Sequence, residues 1–394
     1  MDFSIDKAMH ERLEEARELG RREVRPAGLE ADRAGHPLPV DHPYFARAIA
    51  RGEGRTRWPG PKGRERPAGP RGLRSTVLTL LLAEELAYWD RGVMVANPGP
   101  GLPEGNVLAL GTDEQKERFL GPFLEPDRPR WACFGMTEPG AGSDAAAIQT
   151  HARKDGEHWI LNGAKCFIGN ASRSDWLLVQ ATVDPSRGRD AQRAFFVEQG
   201  TPGLGGFKIE KKMGLKAYES TSFTLQDCRV PAANLLGGEA RYEQTAGFKT
   251  AMRTFNAGRP IIAANSVGIG RAALDEALRF AREHGMLARE RVRDRLETMA
   301  RRLRVARLVC LRAGWLADRQ RANIVEASMS KALGATVALE ATSFGLELLG
   351  TVGARGDQLI EKLYRDAKAM DIVEGTGQIQ RVIMARHLVQ LPRD

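Results

Sequence analysis

The chain has 394 residues, of which 42% are hydrophobic and 28% charged, and its formal net charge is +9. This composition excludes a disordered or fibrous protein, and the length predicts two or three domains because single cores stop growing beyond roughly 250–300 residues. The positive charge suits an anionic partner such as a phosphorylated cofactor, nucleic acid or a membrane surface, and selects none of them.

The cysteines and the apolar runs bear on location. Four cysteines stand far apart without a CxxC motif, and the N-terminus lacks the apolar segment of a secretory signal, so a cytoplasmic protein is expected. The longest mostly apolar run, residues 77–87, is too short for a membrane span of about 20 residues and contains Glu84 and Glu85. No membrane span is therefore expected.

The first third of the chain is predicted to be helical. From Ile5 to Val24, apolar residues recur at helical spacing, and Pro26 is expected to end that helix. Residues 51–72 contain six glycines, four prolines and seven basic residues, which predicts a mobile basic loop. Further on, Thr112 and Gln115 have the spacing of a capping box at the start of another helix.

The middle of the chain changes to strand-like patterns, and helices return from about residue 247. Asn162-Gly163 lies between two β-rich runs and predicts a hairpin turn there. The order is helical, β, helical, without a repeated βαβ unit, which argues against a Rossmann-type dinucleotide domain.

The segment MTEPGAGSDAAA, residues 136–147, joins the helical and β regions. Its small residues expose backbone N–H groups and hydroxyls, which can hold a phosphate or a flat polar ring. An ordinary turn leading into the β region explains the same residues equally well. No HExxH, no GxSxG and no clustered metal-ligand pattern accompanies it, so metal-dependent hydrolysis and serine acyl transfer lack their usual motifs.

The segment DIVEGTGQIQR, residues 371–381, places Glu374 at a break between two apolar helical stripes. Burial there raises the pKa of a carboxylate, whereas the N-terminus of the following helix lowers it. Such a residue suits a general base. An exposed acid at a helix junction is the alternative that the local pattern leaves open.

Five motifs in this order resemble the acyl-CoA dehydrogenase family. They are ACFGMTEPGAGSDAAAIQT, LNGAKCFIGNA, MGLKAYESTSFTLQDCRVP, AMRTFNAGRPIIAANSVGIGRAALDEAL and EKLYRDAKAMDIVEGTGQIQR. The resemblance implies an α+β fold with an N-terminal helical domain (1–133), a middle β-barrel or sandwich domain (134–236) and a C-terminal four-helix bundle (237–394).

The resemblance also implies FAD as the cofactor and an acyl-CoA as the substrate. The residues that it assigns to FAD are Phe134, Met136, Thr137, Gly142, Ser143, Phe167, Gly169, Thr376 and Gln378. Those that it assigns to the substrate are Ser143, Arg259 and Gly375. Glu374 matches the catalytic base, because the earlier helix that carries the base in some relatives has Gly258 here.

The implied reaction is α,β-dehydrogenation. Glu374 removes the α-proton, the β-hydrogen leaves as hydride to flavin N5, and the thioester carbonyl is held by the flavin ribityl 2′-hydroxyl and the backbone N–H of the base. An electron-transfer flavoprotein is the implied electron acceptor. Fatty, branched and steroid side-chain thioesters all remain open, although the small Val373 indicates room beside the base.

Several positions depart from the family pattern. Phe167-Ile168-Gly169 replaces the usual Trp-Ile-Thr and loses a hydroxyl near flavin N5. The Arg-x-x-Phe-Gly element after the ALDEA helix is absent, and residues 347–353 lack the Gln-x-x-Gly-Gly-x-Gly pattern. In the family these two elements hold the FAD of a neighbouring subunit. This erosion predicts a second dehydrogenase-like subunit in an α₂β₂ assembly, with a homotetramer as the alternative.

Two further functions compete with this interpretation. One is a flavin-poor structural partner subunit or a non-redox thioester enzyme of the same fold. The other is a nucleic-acid-associated flavoprotein, but the basic segments contain a single aromatic residue, Trp58, whereas stacking on bases usually needs several. No nucleic-acid partner is therefore expected.

Overall fold

The predicted order of helical, β and helical regions is confirmed. The computed structural model describes residues 5–61, 75–244 and 247–391, with only the main chain described for 243–244 and 247–257. Residues 62–72 of the predicted basic loop therefore lie outside the described residues. The helices of the first region are α1 (Lys7–Leu19), α2 (Arg25–Ala34), α3 (Pro43–Ala50), α4 (Thr76–Ala96), α5 (Glu104–Leu110) and α6 (Asp113–Leu120). The capping box of Thr112 and Gln115 forms at the start of α6 as predicted.

The prediction that Pro26 ends the first helix was wrong. A π-helical segment, Gly20–Val24, joins α1 to α2, and the helical path continues to Ala34. Pro26 lies in the first turn of α2, where its missing N–H removes few helical bonds. The chain then turns at Gly35, whose φ of 75° glycine adopts without strain.

The described part of the basic loop, residues 51–61, is anchored rather than mobile. The Trp58 side chain is 8% exposed and belongs to a core with Phe119 and Phe134. Thr56 Oγ1 and Arg57 Nε donate to the Glu104 carboxylate at 2.7 and 2.6 Å. The sequence pattern of glycines and prolines did not reveal these long-range contacts.

The β region forms a seven-stranded sheet within the described residues. Its strands are β1 (Ala132–Gly135), β2 (His151–Asp155), β3 (His158–Gly169), β4 (Trp176–Thr182), β5 (Gln192–Glu198), β6 (Leu204–Ile209) and β7 (Ser220–Pro231). The order is β1-β4-β2-β3-β7-β6, and β5 pairs with β4. Only the β1–β4 and β2–β4 pairings are parallel among these strands, so no βαβ crossover organises the sheet.

The predicted hairpin at Asn162-Gly163 was wrong. Both residues lie inside the continuous strand β3, where the pairing with β7 shifts register between Leu161 and Gly163. A Cβ on Gly163 would lie 2.6 Å from the Cα of Thr150, so the glycine permits close approach of another segment. The tight turn lies before β3, at Gly156, where φ is 56°.

The C-terminal region is a helical bundle. Its helices are α7 (Glu239–Gln244), α8 (Gly247–Glu283), α9 (Glu290–Asp318), α10 (Ile324–Leu349), α11 (Leu359–Met370) and α12 (Gly377–Leu388). Apolar residues of α8, α10 and α11, including Ile269, Ala338 and Ile360, share one buried core. By length and composition α10 could cross a membrane, but 56% of its most apolar window is buried inside the protein, as in the core helix of a bundle.

Candidate active site

Glu374 lies on the short loop between α11 and α12, and two side chains fix the main chain of that loop. Lys331 Nζ, from α10, donates to the carbonyl of Asp371 at 2.9 Å, and Gln380 Nε2 donates to the carbonyl of Gly375 at 3.0 Å. Glu374 adopts a φ of 54°, which is uncommon for a residue with a side chain. The loop is therefore held in one conformation by contacts from two helices.

The Glu374 carboxylate is desolvated and incompletely paired. Its Oε2 atom is buried and accepts no hydrogen bond. Burial raises the pKa of Glu374, and the positive charges of Arg91, Lys331 and Arg259 partly offset that rise. A raised pKa on a carboxylate with a free oxygen is the arrangement that proton abstraction requires.

Gly258 of α8 makes room for that carboxylate. A Cβ on Gly258 would lie 2.0 Å from Glu374 Oε2 and 3.0 Å from its Cδ. Any other residue at position 258 would displace the carboxylate. The sequence analysis related these two positions because some relatives carry the base on the earlier helix. In the structure the two residues lie in direct contact.

Two of the cations around Glu374 come from the bundle. Arg259 is 6% exposed, and its Nε donates no hydrogen bond. Burial lowers the pKa of Arg259, with Glu374 opposing that effect. Burial likewise lowers the pKa of Lys331 to about 8, against the opposing influence of Asp371 and Glu374.

The third cation, Arg91 of α4, was not predicted from the sequence. Asp90 breaks the helical backbone of α4 with φ −165° and ψ 112°, and Arg91 follows the break. Asp90 Oδ1 accepts the N–H of Val93 at 2.9 Å, and its Oδ2 accepts Lys362 Nζ at 2.6 Å. Arg91 Nε is buried and donates no hydrogen bond.

The positive charge of Arg91 interacts with Glu374 and Tyr218. Burial lowers the pKa of Arg91, and these two groups oppose the shift. The sequence offers only an Asp-Arg-Gly run inside an otherwise regular helical pattern, which does not signal a kink. The contact between Asp90 and Lys362 spans 272 positions and is visible only in three dimensions.

Seven of the nine predicted cofactor residues, all except Thr376 and Gln378, lie in β1, at the end of β3 or in the loop that follows β1. Phe134 and Met136 are buried, Thr137 is partly exposed, and Gly142 and Ser143 are exposed. Three hydrogen bonds join the two strand ends: Lys165 Nζ donates to Met136 O at 3.1 Å and to Glu138 Oε1 at 2.7 Å, and the Cys166 N–H donates to Thr137 O at 3.0 Å.

Two features leave this surface open to a ligand. Phe167, at the end of β3, has a φ of 59° and is 68% exposed although its side chain is apolar. A Cβ on Gly142 would meet no atom within 4 Å, so the loop leaves open space. Exposing a large aromatic ring to water is unfavourable unless a ligand or partner covers it.

Tyr218 interacts with both parts of the site, the end of β3 and the residues around Glu374. A Cβ on Gly169 would lie 3.6 Å from Tyr218 Cε2, and the same tyrosine interacts with Arg91 beside Glu374. Thr376 and Gln378 lie at the N-terminus of α12, where Thr376 Oγ1 accepts the N–H of Ile379 at 3.4 Å. Hydrogen bonds among the described residues do not join Thr376 or Gln378 to the loop 136–147.

Comparison with known proteins identifies relatives of this site. Residues 133–228 match the acyl-CoA dehydrogenase middle domain, and residues 245–389 match the acyl-CoA dehydrogenase C-terminal domain. The chain is 36% identical over 291 residues to the mitochondrial short-chain specific acyl-CoA dehydrogenase of Rattus norvegicus, covering 73% of this chain and 69% of the relative.

Two solved structures are similar over nearly the whole chain. Butyryl-CoA dehydrogenase from Megasphaera elsdenii has a TM-score of 0.85 and 30% identity, covering 99% of this chain and 100% of that chain. A chain in a solved structure of the electron transferring flavoprotein of Acidaminococcus fermentans has a TM-score of 0.84 and 31% identity, with 100% of both chains covered.

Proposed function

Because the chain belongs to the acyl-CoA dehydrogenase family and is thus an FAD-dependent enzyme that oxidises an acyl-CoA to its 2,3-enoyl form, we propose that Glu374 is its catalytic base. The observation that carries this assignment is the buried Oε2 atom, which accepts no hydrogen bond and lies among Arg91, Lys331 and Arg259. An exposed acid at a helix junction would have neither property.

Glu374 breaks the α-carbon–hydrogen bond of the thioester and takes the proton on its free oxygen. A carboxylate is a weak base for this proton, so the developing enolate oxygen must be stabilised by hydrogen-bond donors. Among the described residues, the Glu374 N–H donates to no backbone carbonyl, and it is one donor available for the thioester oxygen. Lys331 and Gln380 orient that N–H by holding the loop.

The residues around β1 and β3 fit FAD. Bound FAD supplies the acceptor for the β-hydride. The residues proposed to hold it are Phe134, Met136, Thr137, Gly142, Ser143, Phe167, Gly169, Thr376 and Gln378. The exposed ring of Phe167 and the open space at Gly142 support this assignment. Ser143, Arg259 and Gly375 are proposed to contact the substrate.

The visible spectrum of the bound flavin tests this function. We expect anaerobic addition of a reactive acyl-CoA to bleach the visible band, with a 2-enoyl-CoA as the product. Glu374→Gln should retain the flavin and slow the bleaching by about 10²–10⁴-fold, the usual contribution of a general base. A protein that binds FAD but is not reduced by any acyl-CoA would contradict the assignment.

We further propose that an electron-transfer flavoprotein reoxidises the enzyme. This partner is supported by the similarity of the present chain to a chain in the solved structure of the electron transferring flavoprotein of Acidaminococcus fermentans. The free cysteines, all four buried, are in keeping with a cytoplasmic location, which stays part of the proposal. Reoxidation of the reduced enzyme by the purified flavoprotein, followed spectroscopically, tests the pairing.

The quaternary proposal is an α₂β₂ assembly with a second dehydrogenase-like chain. Its support is the loss of the two sequence elements that hold a neighbour's FAD in the family. Where the first would follow α8, the chain passes through Gly285 and a short 3₁₀ turn, Met286–Ala288. Near the second, residues 350–358 form a turn-rich connection between α10 and α11. Light scattering and flavin content of the isolated protein test the idea. A homotetramer with one FAD per chain would contradict it.

A further inference from the structure

We propose that Lys165 is a positioning residue for FAD, which fixes the peptide between Met136 and Thr137 and strengthens the Thr137 N–H as a hydrogen-bond donor to the flavin, so that reduction of the flavin becomes more favourable. This inference rests on the proposed function, since Met136 and Thr137 are among the residues proposed to hold FAD. It adds a buried lysine that acts on the flavin through their main chain.

The side chain of Lys165 reaches from β3 to the end of β1 and is fully buried. Its ammonium group donates to Met136 O at 3.1 Å and to Glu138 Oε1 at 2.7 Å. Glu138 is held in turn, because its carboxylate accepts the N–H groups of Gln149 and Thr150 at 2.6 and 3.0 Å. One lysine therefore holds the main chain of the segment that is proposed to contact FAD.

These contacts set the direction of the Thr137 N–H. In a planar trans peptide the C=O and N–H bonds point in opposite directions. Because the Met136 carbonyl points at Lys165, the Thr137 N–H of the same peptide points away from it. The Thr137 carbonyl accepts the Cys166 N–H at 3.0 Å, so β3 fixes this peptide and the next. Among the described residues, no backbone carbonyl accepts the Thr137 N–H, which leaves it available to a ligand.

The charge of Lys165 is unfavourable for a residue that only fills space. Burial lowers the pKa of Lys165 to about 8, although Glu138 opposes the shift, so the ion pair does not fully offset the desolvation of the ammonium group. An apolar side chain of similar volume would fill the same space without this penalty. Buried ionisable groups with perturbed pKa values occur preferentially at functional sites.

A cation bonded to the Met136 carbonyl makes the Thr137 N–H a stronger donor, because hydrogen-bonded groups polarise one another in a medium of low dielectric constant. In the proposed reaction the β-carbon–hydrogen bond breaks with its electron pair. The hydride brings one negative charge to the FAD site, while Glu374 takes the α-proton. Donors aimed at a group that gains negative charge stabilise it. Lys165 should therefore raise the reduction potential of the bound flavin as well as hold the segment in place.

The test compares Lys165→Met with Lys165→Arg in the FAD-loaded protein, without acyl-CoA. The reduction potential is measured by equilibration with a reference dye during reduction by dithionite. We expect Lys165→Met to lower the equilibrium constant for two-electron reduction by about tenfold or more, which is about 30 mV or more. Lys165→Arg keeps a charged donor and should restore most of the potential.

A second variant and a control accompany this comparison. Lys165→Gln removes the charge but keeps a donor, and it takes the place of Lys165→Met if that variant does not retain FAD. Lys154→Met is the matched control, because Lys154 is an exposed lysine of β2 that pairs with Glu239 at 2.6 Å. Its partner on β3 is Trp159, six positions and thus about 20 Å along the strand from Lys165. This control should leave the potential unchanged.

The outcomes separate this inference from the proposed function. An unmoved potential in the neutral variants, an equal fall in Lys165→Arg, or loss of FAD from both neutral variants would make Lys165 a purely structural residue and overturn the inference. Because these measurements use no acyl-CoA, none of these results bears on Glu374. Failure of every acyl-CoA to bleach the flavin would contradict the proposed function and leave the potentials as they are.

Discussion

The Glu374 carboxylate occupies the space that a side chain at position 258 would fill, since a Cβ on Gly258 would lie 2.0 Å from Glu374 Oε2. We therefore expect Gly258→Ala to displace the carboxylate and lower kcat by about 10²-fold, the effect of a shift of roughly 1 Å in a reacting group. The change is measured as the rate of anaerobic flavin reduction at saturating acyl-CoA.

The control for this substitution is Gly121→Ala, because an added Cβ on Gly121 would meet no atom within 4 Å. It should leave the rate unchanged. Flavin content should be equal in both variants, since neither glycine is proposed to contact FAD. Full activity in Gly258→Ala would show that Glu374 is not the base.

The second prediction concerns the pH dependence of the reaction. Burial raises the pKa of Glu374 above its ordinary value of 4.5, so kcat/KM should rise with pH through a pKa higher than 4.5 as the carboxylate ionises. The positive charge of Lys331 lowers the pKa of Glu374 and so partly offsets the effect of burial. Lys331→Met should therefore move the acid limb of the profile, where kcat/KM rises with pH, to still higher pH. The measurement is the pH profile of flavin reduction.

Lys331→Arg is the discriminating control. It keeps the positive charge, so its acid limb should remain close to that of the unaltered enzyme even if the rate falls because the loop moves. If Lys331→Met lowers the rate without moving the acid limb, Lys331 only holds the loop and does not tune Glu374.

The third prediction links the same pKa to stability. A carboxylate whose pKa is raised by folding favours the native state below its unfolded pKa, and this contribution is lost as pH rises through the folded pKa. Glu374→Gln removes the buried charge, so it should raise Tm at neutral pH, by roughly 2–4 °C for each kcal/mol that the ionised carboxylate costs the native state. The gain should shrink toward pH 4.5, and a gain independent of pH would argue that Glu374 is not buried as a charge.

Part of the site was predictable because its signals are local. The loop at residues 371–376 interrupts two amphipathic stripes, and the predicted apolar helix is α11, Leu359–Met370. The proposed role of Glu374 rests on this break between two helices and on the family motif. The middle domain was also predictable as β-rich, because its strands alternate apolar and polar residues or form short apolar runs.

The remaining features depend on contacts between distant parts of the chain. Asn162-Gly163 has the composition of a hairpin turn, but close packing of Thr150 on Gly163 keeps it inside β3. Pro26 has the composition of a helix end, but a π-helical turn places it at a new helix start. The place of Arg91 beside Glu374 could not be predicted, because no local sequence signal indicates the break in α4 at Asp90.

The fourth prediction concerns the cluster that produces this break. Lys362 Nζ donates to Asp90 Oδ2 at 2.6 Å and to Asp366 Oδ2 at 2.5 Å, and all three side chains are almost fully buried. Burial opposes the charge of Lys362, but the two carboxylates outweigh it and raise its pKa. The triad therefore links α4 to α11 through one lysine.

Lys362→Met should leave two buried carboxylates without a cation and destabilise the protein by about 3–5 kcal/mol. The loss should grow as pH rises, because unpaired buried carboxylates have raised pKa values and favour folding only while protonated. Lys368→Met, on an exposed position of the same helix, should change Tm little at any pH. Thermal unfolding at several pH values makes the comparison.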